Sequence, residues 1–106
     1  MVIERKPLAE RLYIALQPTR KKILVALWKS PAPMYIEQIA KKIGEDRKNV
    51  AFHLLTLQEH GFVEGEYGVI EPPAERSAAI GKAGKFFRLT DEGRKVCEMF
   101  EKLNII

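Results

Sequence analysis

The sequence predicts a mostly helical domain with one small β-hairpin, in the order α-α-α-α-β-β-α. Apolar residues recur at helical spacing in five stretches, and prolines or glycines separate most of these stretches. Aromatic and other apolar residues gather in two short runs between residues 62 and 89, as strands require. The chain has 106 residues, which suits a single domain.

The composition indicates a globular protein with a mild basic bias. Hydrophobic residues make up 46% of the chain and charged residues 30%, and the formal net charge is +4. Residues 1–60 hold 11 Lys and Arg against 6 Asp and Glu, whereas residues 61–106 hold 7 against 8. The positive excess therefore belongs to the helices that precede the strands, which is consistent with binding to nucleic acid.

The single cysteine, Cys97, excludes a disulfide within the chain and favours a reducing compartment. No apolar run approaches the roughly 20 residues that span a bilayer, and no signal peptide is apparent. We therefore expect a cytoplasmic protein.

The first predicted helix opens at Pro7, whose missing N–H would be unpaired there in any case. Its predicted apolar stripe consists of Leu8, Leu12, Ala15 and Leu16. Tyr13 and Ile14 lie off that stripe. They either fill other parts of the core or face a second subunit, and the sequence leaves both alternatives open.

A second helix is predicted from Arg20 to Trp28, with Thr19 as its N-cap. Ile23, Leu24 and Leu27 should face inward. Arg20, Lys21 and Lys22 form a basic cluster, which is either an ordinary solvated helix face or a contact to phosphate.

The third and fourth helices form a helix-turn-helix pattern over about residues 34–61. After the proline-rich stretch 30–33, a helix is predicted from about Met34 to Ile43, and Gly44 ends it. The fourth helix follows an N-cap at Asp46 and ends at Gly61. Its inner stripe consists of Val50, Leu54 and Leu57, and its outer face of Lys48, Phe52, Thr56 and Glu59, with Asn49 on the flank.

The rest of the chain predicts a hairpin over about residues 62–89 and a terminal helix over about 91–103. Residues 71–84 contain two prolines and two glycines and are predicted as a loop or hairpin tip. Arg76, Lys82 and Lys85 give this region positive charge. Thr90 caps the last helix, whose stripe of Val96, Phe100 and Leu103 packs on its own core or on a second copy.

Several of these segments resemble one family of regulators. Residues 17–24 (QPTRKKIL) and 36–44 (IEQIAKKIG) look like the early and positioning helices of ArsR-like (arsenic-repressor-type) winged helix-turn-helix domains. Residues 50–63 (VAFHLLTLQEHGFV) are similar to their recognition helix. Residues 86–93 (FFRLTDEG) resemble the second wing strand, a run shared with multiple-antibiotic-resistance-type (MarR-like) repressors.

The resemblance covers about residues 8–100 and implies a homodimeric transcription regulator, such as a repressor, that binds double-stranded DNA. By this resemblance the first and last helices form the dimer contact, through Leu8, Leu12, Tyr13, Val96, Phe100 and Leu103. The chain departs from the family at Tyr35, where a serine or threonine usually caps the positioning helix, at Ala51, which replaces a hydroxyl residue, and at Leu55, which replaces a basic one.

The chemistry of the fourth helix favours contact with bases. Arg and Lys match the acceptors of guanine, Asn matches adenine, and an aromatic ring can touch a thymine methyl group. We therefore predict DNA contacts at Arg47, Lys48, Asn49, Phe52 and Thr56, and phosphate contacts at Arg20, Lys21, Arg76, Lys82 and Lys85.

A second hypothesis is a winged-helix module that docks on another protein. The outer face of the fourth helix is more apolar than binding in a DNA groove requires, because it carries Ala51, Phe52 and Leu55. His53 is interpreted as a half-buried histidine, and His60 as a favourable charge near the helix end. We expect no catalytic residues, no metal site and no cofactor, because the sequence contains no nucleophile–base pair or metal-ligand spacing.

Overall fold

The computed structural model describes residues 6–70 and 82–106, which form five helices and three strands. The elements are α1 (Leu8–Leu16), α2 (Pro18–Lys29), β1 (Met34–Tyr35), α3 (Ile36–Ile43), α4 (Arg47–Glu59), β2 (Val63–Ile70), β3 (Lys82–Leu89) and α5 (Asp91–Lys102). The predicted order of five helices around a hairpin is confirmed, with one short strand added before α3. Among the described residues, none of the helices is long and apolar enough to cross a membrane.

The added strand arises because Pro31 and Pro33 hold the chain extended as it leaves α2. Met34 and Tyr35 then pair with Phe87 and Phe86 of β3, so the sheet has the order β1-β3-β2. The prediction that α3 begins near Met34 is wrong by two residues for this reason.

The two wing strands are antiparallel and extend further than predicted. β3 begins at Lys82 rather than after Gly84, and it stays paired with β2 out to Ile70. Gly84 pairs with Gly68 in this ladder, and a Cβ atom on Gly84 would require the Ile70 side chain to shift. The remaining part of the predicted loop, including Arg76, lies outside the described residues.

One core joins all five helices to the base of the sheet. Its fully buried side chains are those of Ile23, Leu24, Ile39, Val50, Leu54, Leu57, Phe62, Val63, Val96, Cys97 and Phe100. This burial confirms the predicted inward faces of α2 and α4. It contradicts the prediction that Val96 and Phe100 form a dimer contact, since both belong to the core of their own protomer, where they are 0% and 2% exposed.

The orientation of α1 differs from the prediction. Arg11, Ile14 and Ala15 face inward, and Leu16 is 47% exposed. The helix is rotated relative to the expected stripe because the Arg11 guanidinium finds hydrogen-bond acceptors inside the domain. Leu8 and Leu12 pack partly buried on the edge of the core.

The predicted helix boundaries around the helix-turn-helix are largely confirmed. Gly44 and Gly61 adopt positive φ angles of 70° and 78°, the left-handed conformation that favours glycine.

Thr90 caps α5 by accepting from the backbone N–H of Gly93. Thr19 does not cap α2, because Pro18 already starts that helix and the side chain of Gln17 accepts from the backbone N–H of Arg20.

Candidate nucleic-acid interface

The start of α4 is capped by a side chain and carries three exposed polar residues. The Asp46 carboxylate accepts from the backbone N–H groups of Lys48 and Asn49, at 3.0 and 3.3 Å. This cap uses two of the four N–H groups that a helix start leaves unpaired. The side chains of Arg47, Lys48 and Asn49 are therefore held on a defined helical turn, and all three residues are exposed.

Glu45 fixes the turn between α3 and α4 to α2. Its carboxylate accepts from the Thr19 hydroxyl at 2.8 Å and from the Asn49 amide at 3.0 Å, and it pairs with Lys22 at 3.4 Å. The pKa of the Glu45 carboxyl is lowered, and the hydrogen bond from Thr19 is the largest cause. Desolvation raises this pKa, and the contacts from Lys22 and Asn49 lower it further. The carboxylate therefore stays charged at neutral pH, and it connects α4 to α2 through Asn49, Thr19 and Lys22.

Arg47 forms a surface ion pair with Glu37 of α3. The Arg47 Nε atom donates to the Glu37 carboxylate at 2.9 Å, and the two side chains are 62% and 55% exposed. Exposed pairs of this kind contribute only about 0–1 kcal/mol. A phosphate or a guanine edge can therefore compete for this guanidinium at small cost.

The outer face of α4 carries two large apolar side chains. Phe52 is 61% exposed and Leu55 is 55% exposed, which confirms the outward orientation predicted for both. The Phe52 ring packs edge-to-face on the His53 ring, with the ring centroids 5.2 Å apart. The Thr56 hydroxyl lies 3.3 Å from the Phe52 carbonyl, to which it donates.

His53 connects α4 to the basic cluster at the start of α2. The ring is buried, and its Nδ1 atom lies 3.4 Å from an Arg20 guanidinium nitrogen. Burial, and next the charge of Arg20, lower the pKa of His53. The Arg20 Nε atom donates to the Ile14 carbonyl, and Lys21 reaches the Ile105 carbonyl, so both predicted phosphate contacts also have partners within the domain.

The wing meets α4 through Lys85. Its ammonium group lies 3.3 Å from the side-chain oxygen of Gln58 on α4 and stands over the rings of Tyr67 and Phe87 at 5.7 and 5.5 Å. Cation–π contacts and a hydrogen bond thus hold the Lys85 ammonium group between the β2–β3 hairpin and α4. Lys82 lies further along the same strand.

Arg11 is a buried charged residue with partners on several elements, which helical periodicity alone does not reveal. Its buried guanidinium donates to the carbonyls of Lys6 and His60, pairs with the Glu92 carboxylate at 2.7 Å, and stacks over Phe62 at 5.2 Å. In the sequence, the buried face of α1 is indicated by the helical spacing of Arg11 with Ile14 and Ala15. Arg11 ties the end of α4 to α1 and to the first turn of α5.

The proposed dimer face is partly exposed. Tyr13 is 65% and Leu103 is 67% exposed, and they lie on or just after α1 and α5, which contact each other. Leu8 and Leu12 are partly buried against the core. Large apolar side chains therefore remain exposed on α1 and just after α5.

Cys97 and the histidines do not gather into a metal site. Within residues 6–70 and 82–106, no three His, Cys, Asp or Glu residues are grouped to hold a metal ion. Cys97 is buried with its Sγ atom 3.6 Å from the Leu24 carbonyl, and desolvation raises the pKa of its thiol to about 12.

Comparison with known proteins supports the fold. Residues 15–66 match the sequence model of a family described as a helix-turn-helix domain. A search of curated protein sequences found no match.

Among solved structures, the homodimeric winged helix-turn-helix DNA-binding domain of Mb0332 from Mycobacterium bovis is 18% identical, with a TM-score of 0.60 over 92% of this chain and 76% of that one. That protein is described as a possible ArsR-family transcriptional regulator. Diamide-treated YodB from B. subtilis is 17% identical, with a TM-score of 0.66 over 92% of this chain and 85% of that one. A mutant of the type III plasmid segregation protein TubR is 15% identical, with a TM-score of 0.70 over 99% of this chain and all of that one.

The helix-turn-helix match covers α2, α3 and α4, and the shared fold adds the wing and the flanking helices. Together they show that the chain has a winged helix-turn-helix fold, which it shares with the DNA-binding domain of Mb0332.

Proposed function

We propose that this protein is a sequence-specific, double-stranded DNA-binding transcriptional regulator that acts as a homodimer in the cytoplasm. The observation that carries the proposal is the exposed group of Arg47, Lys48 and Asn49 on the capped first turn of α4, the second helix of the helix-turn-helix. A cation and an amide at the N-terminal end of such a helix can reach base edges and phosphates when the helix enters a major groove.

The remaining basic residues would contact the DNA backbone. Lys85 lies between α4 and the wing, where an ammonium group can reach a phosphate beside the groove. Arg20, Lys21, Lys82 and Arg76 are the further proposed phosphate contacts. Contacts of this kind supply affinity without reading sequence, and they make binding depend on salt.

A homodimer would place two α4 helices in successive major grooves, about 34 Å apart. The exposed Tyr13 and Leu103 support an apolar contact through α1 and α5, since large apolar side chains gain from leaving water. Mb0332 is described as homodimeric, which is consistent with this arrangement. Leu103→Glu should convert the dimer to a monomer in light scattering, whereas an unchanged mass would place the contact elsewhere.

The experiment is a selection of duplexes from a genomic library, followed by titration of a labelled selected duplex at several salt concentrations. Lys48→Ala should reduce the salt slope of binding by about 0.9 for each protomer, because one phosphate contact is lost. Lys95→Ala on α5, outside the helix-turn-helix and the wing, is the matched control and should leave the slope unchanged. Absence of salt-sensitive binding to any duplex would refute the proposal.

Arg47 is tested separately because it has a partner in the free protein. Arg47→Ala should weaken binding and relax the preference at one base position, since a bidentate contact to guanine discriminates by about 1–3 kcal/mol. Unchanged affinity and sequence preference would remove Arg47 from the interface.

A protein-docking module is the second candidate, and the exposure of Phe52 and Leu55 favours it. The shared fold does not decide between the two functions, because one fold can support unrelated functions. A folded protein that binds no duplex, but loses association with another protein on Phe52→Ser, would establish the second candidate in place of the first.

A further inference from the structure

The outermost side chains of α4 are mainly apolar at the centre of the helix. At about 100° per residue, Lys48, Phe52, Leu55 and Glu59 fall within about 60° of one another on the face opposite the core. Lys48 lies at one end of this ridge and Glu59 at the other. Phe52 and Leu55 therefore occupy the part of the helix that would enter a groove most deeply.

The hydrogen-bonding groups beside this ridge have partners within the protein. The Arg47 guanidinium is paired with Glu37, and the Asn49 amide donates to Glu45. The Thr56 hydroxyl donates a hydrogen bond to the backbone carbonyl of Phe52 in the same helix. The middle of α4 therefore presents carbon atoms to a ligand, with donors engaged on both flanks.

The Phe52 ring is also held in place before any ligand arrives. Its edge-to-face contact with the buried His53 ring restricts rotation on the helix surface. A restricted side chain loses less conformational entropy on binding, which favours a defined contact over a loose one.

One group in the major groove matches this surface. The C5-methyl group of thymine is the distinctive apolar feature on the base edges there, whereas the other features are hydrogen-bond donors and acceptors. The Cα atoms of residues 52 and 55 are separated by about 4.5 Å along the helix axis, close to the roughly 3.4 Å rise of one base-pair step. Phe52 and Leu55 can thus contact methyl groups on neighbouring base pairs.

We infer that the centre of each half-site is read through thymine methyl groups by Phe52 and Leu55, an inference that rests on the proposed DNA-binding function. These two residues would determine specificity at the centre of the half-site, and Arg47 and Lys48 would contact its flank. The recognised ligand is then a duplex with two adjacent A·T pairs at the middle of each half-site.

The test replaces single thymines of a selected duplex with deoxyuridine, which removes the methyl group and keeps every hydrogen-bonding edge. Removal of one buried methyl should weaken binding about fourfold, which corresponds to a transfer free energy of about 0.8 kcal/mol. The effect should be confined to neighbouring positions at the middle of the half-site, and uracil elsewhere in the duplex should have no effect.

Protein variants assign the effect to the two side chains. Phe52→Ala and Leu55→Ala should bind thymine and uracil duplexes with nearly equal affinity at the position that each contacts. Lys48→Ala should weaken binding to both duplexes and keep the fourfold ratio. All three sites are exposed, so circular dichroism should show the wild-type fold.

The outcomes separate this inference from the function on which it rests. Salt-sensitive binding that ignores uracil at every position would overturn methyl reading and leave the DNA-binding function standing. A uracil effect that persists in both apolar variants would also overturn it. Failure to bind any duplex would overturn the function and the inference together.

Discussion

Replacing Arg11 with methionine tests whether the buried guanidinium holds the recognition helix to the rest of the domain. The Arg11 side chain is 5% exposed and its partner Glu92 is 38% exposed. Methionine keeps most of the apolar stem but removes the donors to the carbonyls of Lys6 and His60 and to the Glu92 carboxylate. The free energy of unfolding should fall because these acceptors lose their partner.

The magnitude follows from which acceptors can regain water. Removing one partner of a fully buried ion pair costs about 3–5 kcal/mol. The Glu92 carboxylate is already partly hydrated, so we expect a cost below that range, about 2–3 kcal/mol for Arg11→Met. Arg11→Ala should cost about 1–2 kcal/mol more, since the stem that packs beside Phe62 is also lost.

The assay is urea unfolding followed by circular dichroism. The free energy of unfolding, extrapolated to zero urea, is compared between variants, and equal slopes against urea show that the comparison is valid. Glu92→Gln is the matched control, because it removes the charge and keeps an acceptor, and it should cost less than about 1 kcal/mol. An Arg11→Met protein within about 0.5 kcal/mol of wild type would show that the guanidinium contacts contribute little net stability.

Three further predictions concern packing, pH and thiol reactivity. Gly93→Ala should destabilise the fold by about 3 kcal/mol or more in the same assay, because a Cβ atom there would lie 2.1 Å from the Phe62 carbonyl oxygen; wild-type stability would contradict this. Burial and then the charge of Arg20 lower the pKa of His53 below 6.5, so the unfolded chain binds the proton first. Unfolding free energy should therefore drop as the pH falls below about 6.5, and His53→Gln should flatten that drop; equal pH profiles would refute the role of His53. With its thiol pKa raised to about 12 by burial, Cys97 should react with iodoacetamide at neutral pH only when the protein is unfolded, and rapid labelling of the native protein would contradict this.

Elements of the fold that depend on neighbouring residues could be predicted from the sequence. The Asp46 cap and the Gly61 stop are local, since a carboxylate reaches N–H groups two and three residues ahead and glycine adopts positive φ at low cost. The outward orientation of Phe52 and Leu55 was also predictable, because helical periodicity places them opposite the inner stripe.

Features that depend on distant partners were not predictable in the same way. Met34 and Tyr35 become a strand because β3, more than 50 residues later, offers them backbone partners. The α1 face rotates toward Arg11 because His60 and Glu92 supply acceptors that are distant in sequence. Periodicity assigns an apolar face, and it gives no information on a charged side chain that is neutralised by tertiary contacts.

Helix caps, turns and periodicity act over a few residues, so the helix-turn-helix, the hairpin and the residues on the outer face of α4 could be predicted from the sequence alone. Which of those residues can meet a ligand depends on tertiary packing. That packing places Val96 and Phe100 in the protomer's own core and gives Arg47 and Asn49 acidic partners. Exposure and pairing do not follow from local patterns, because they depend on contacts between residues that are far apart in the chain.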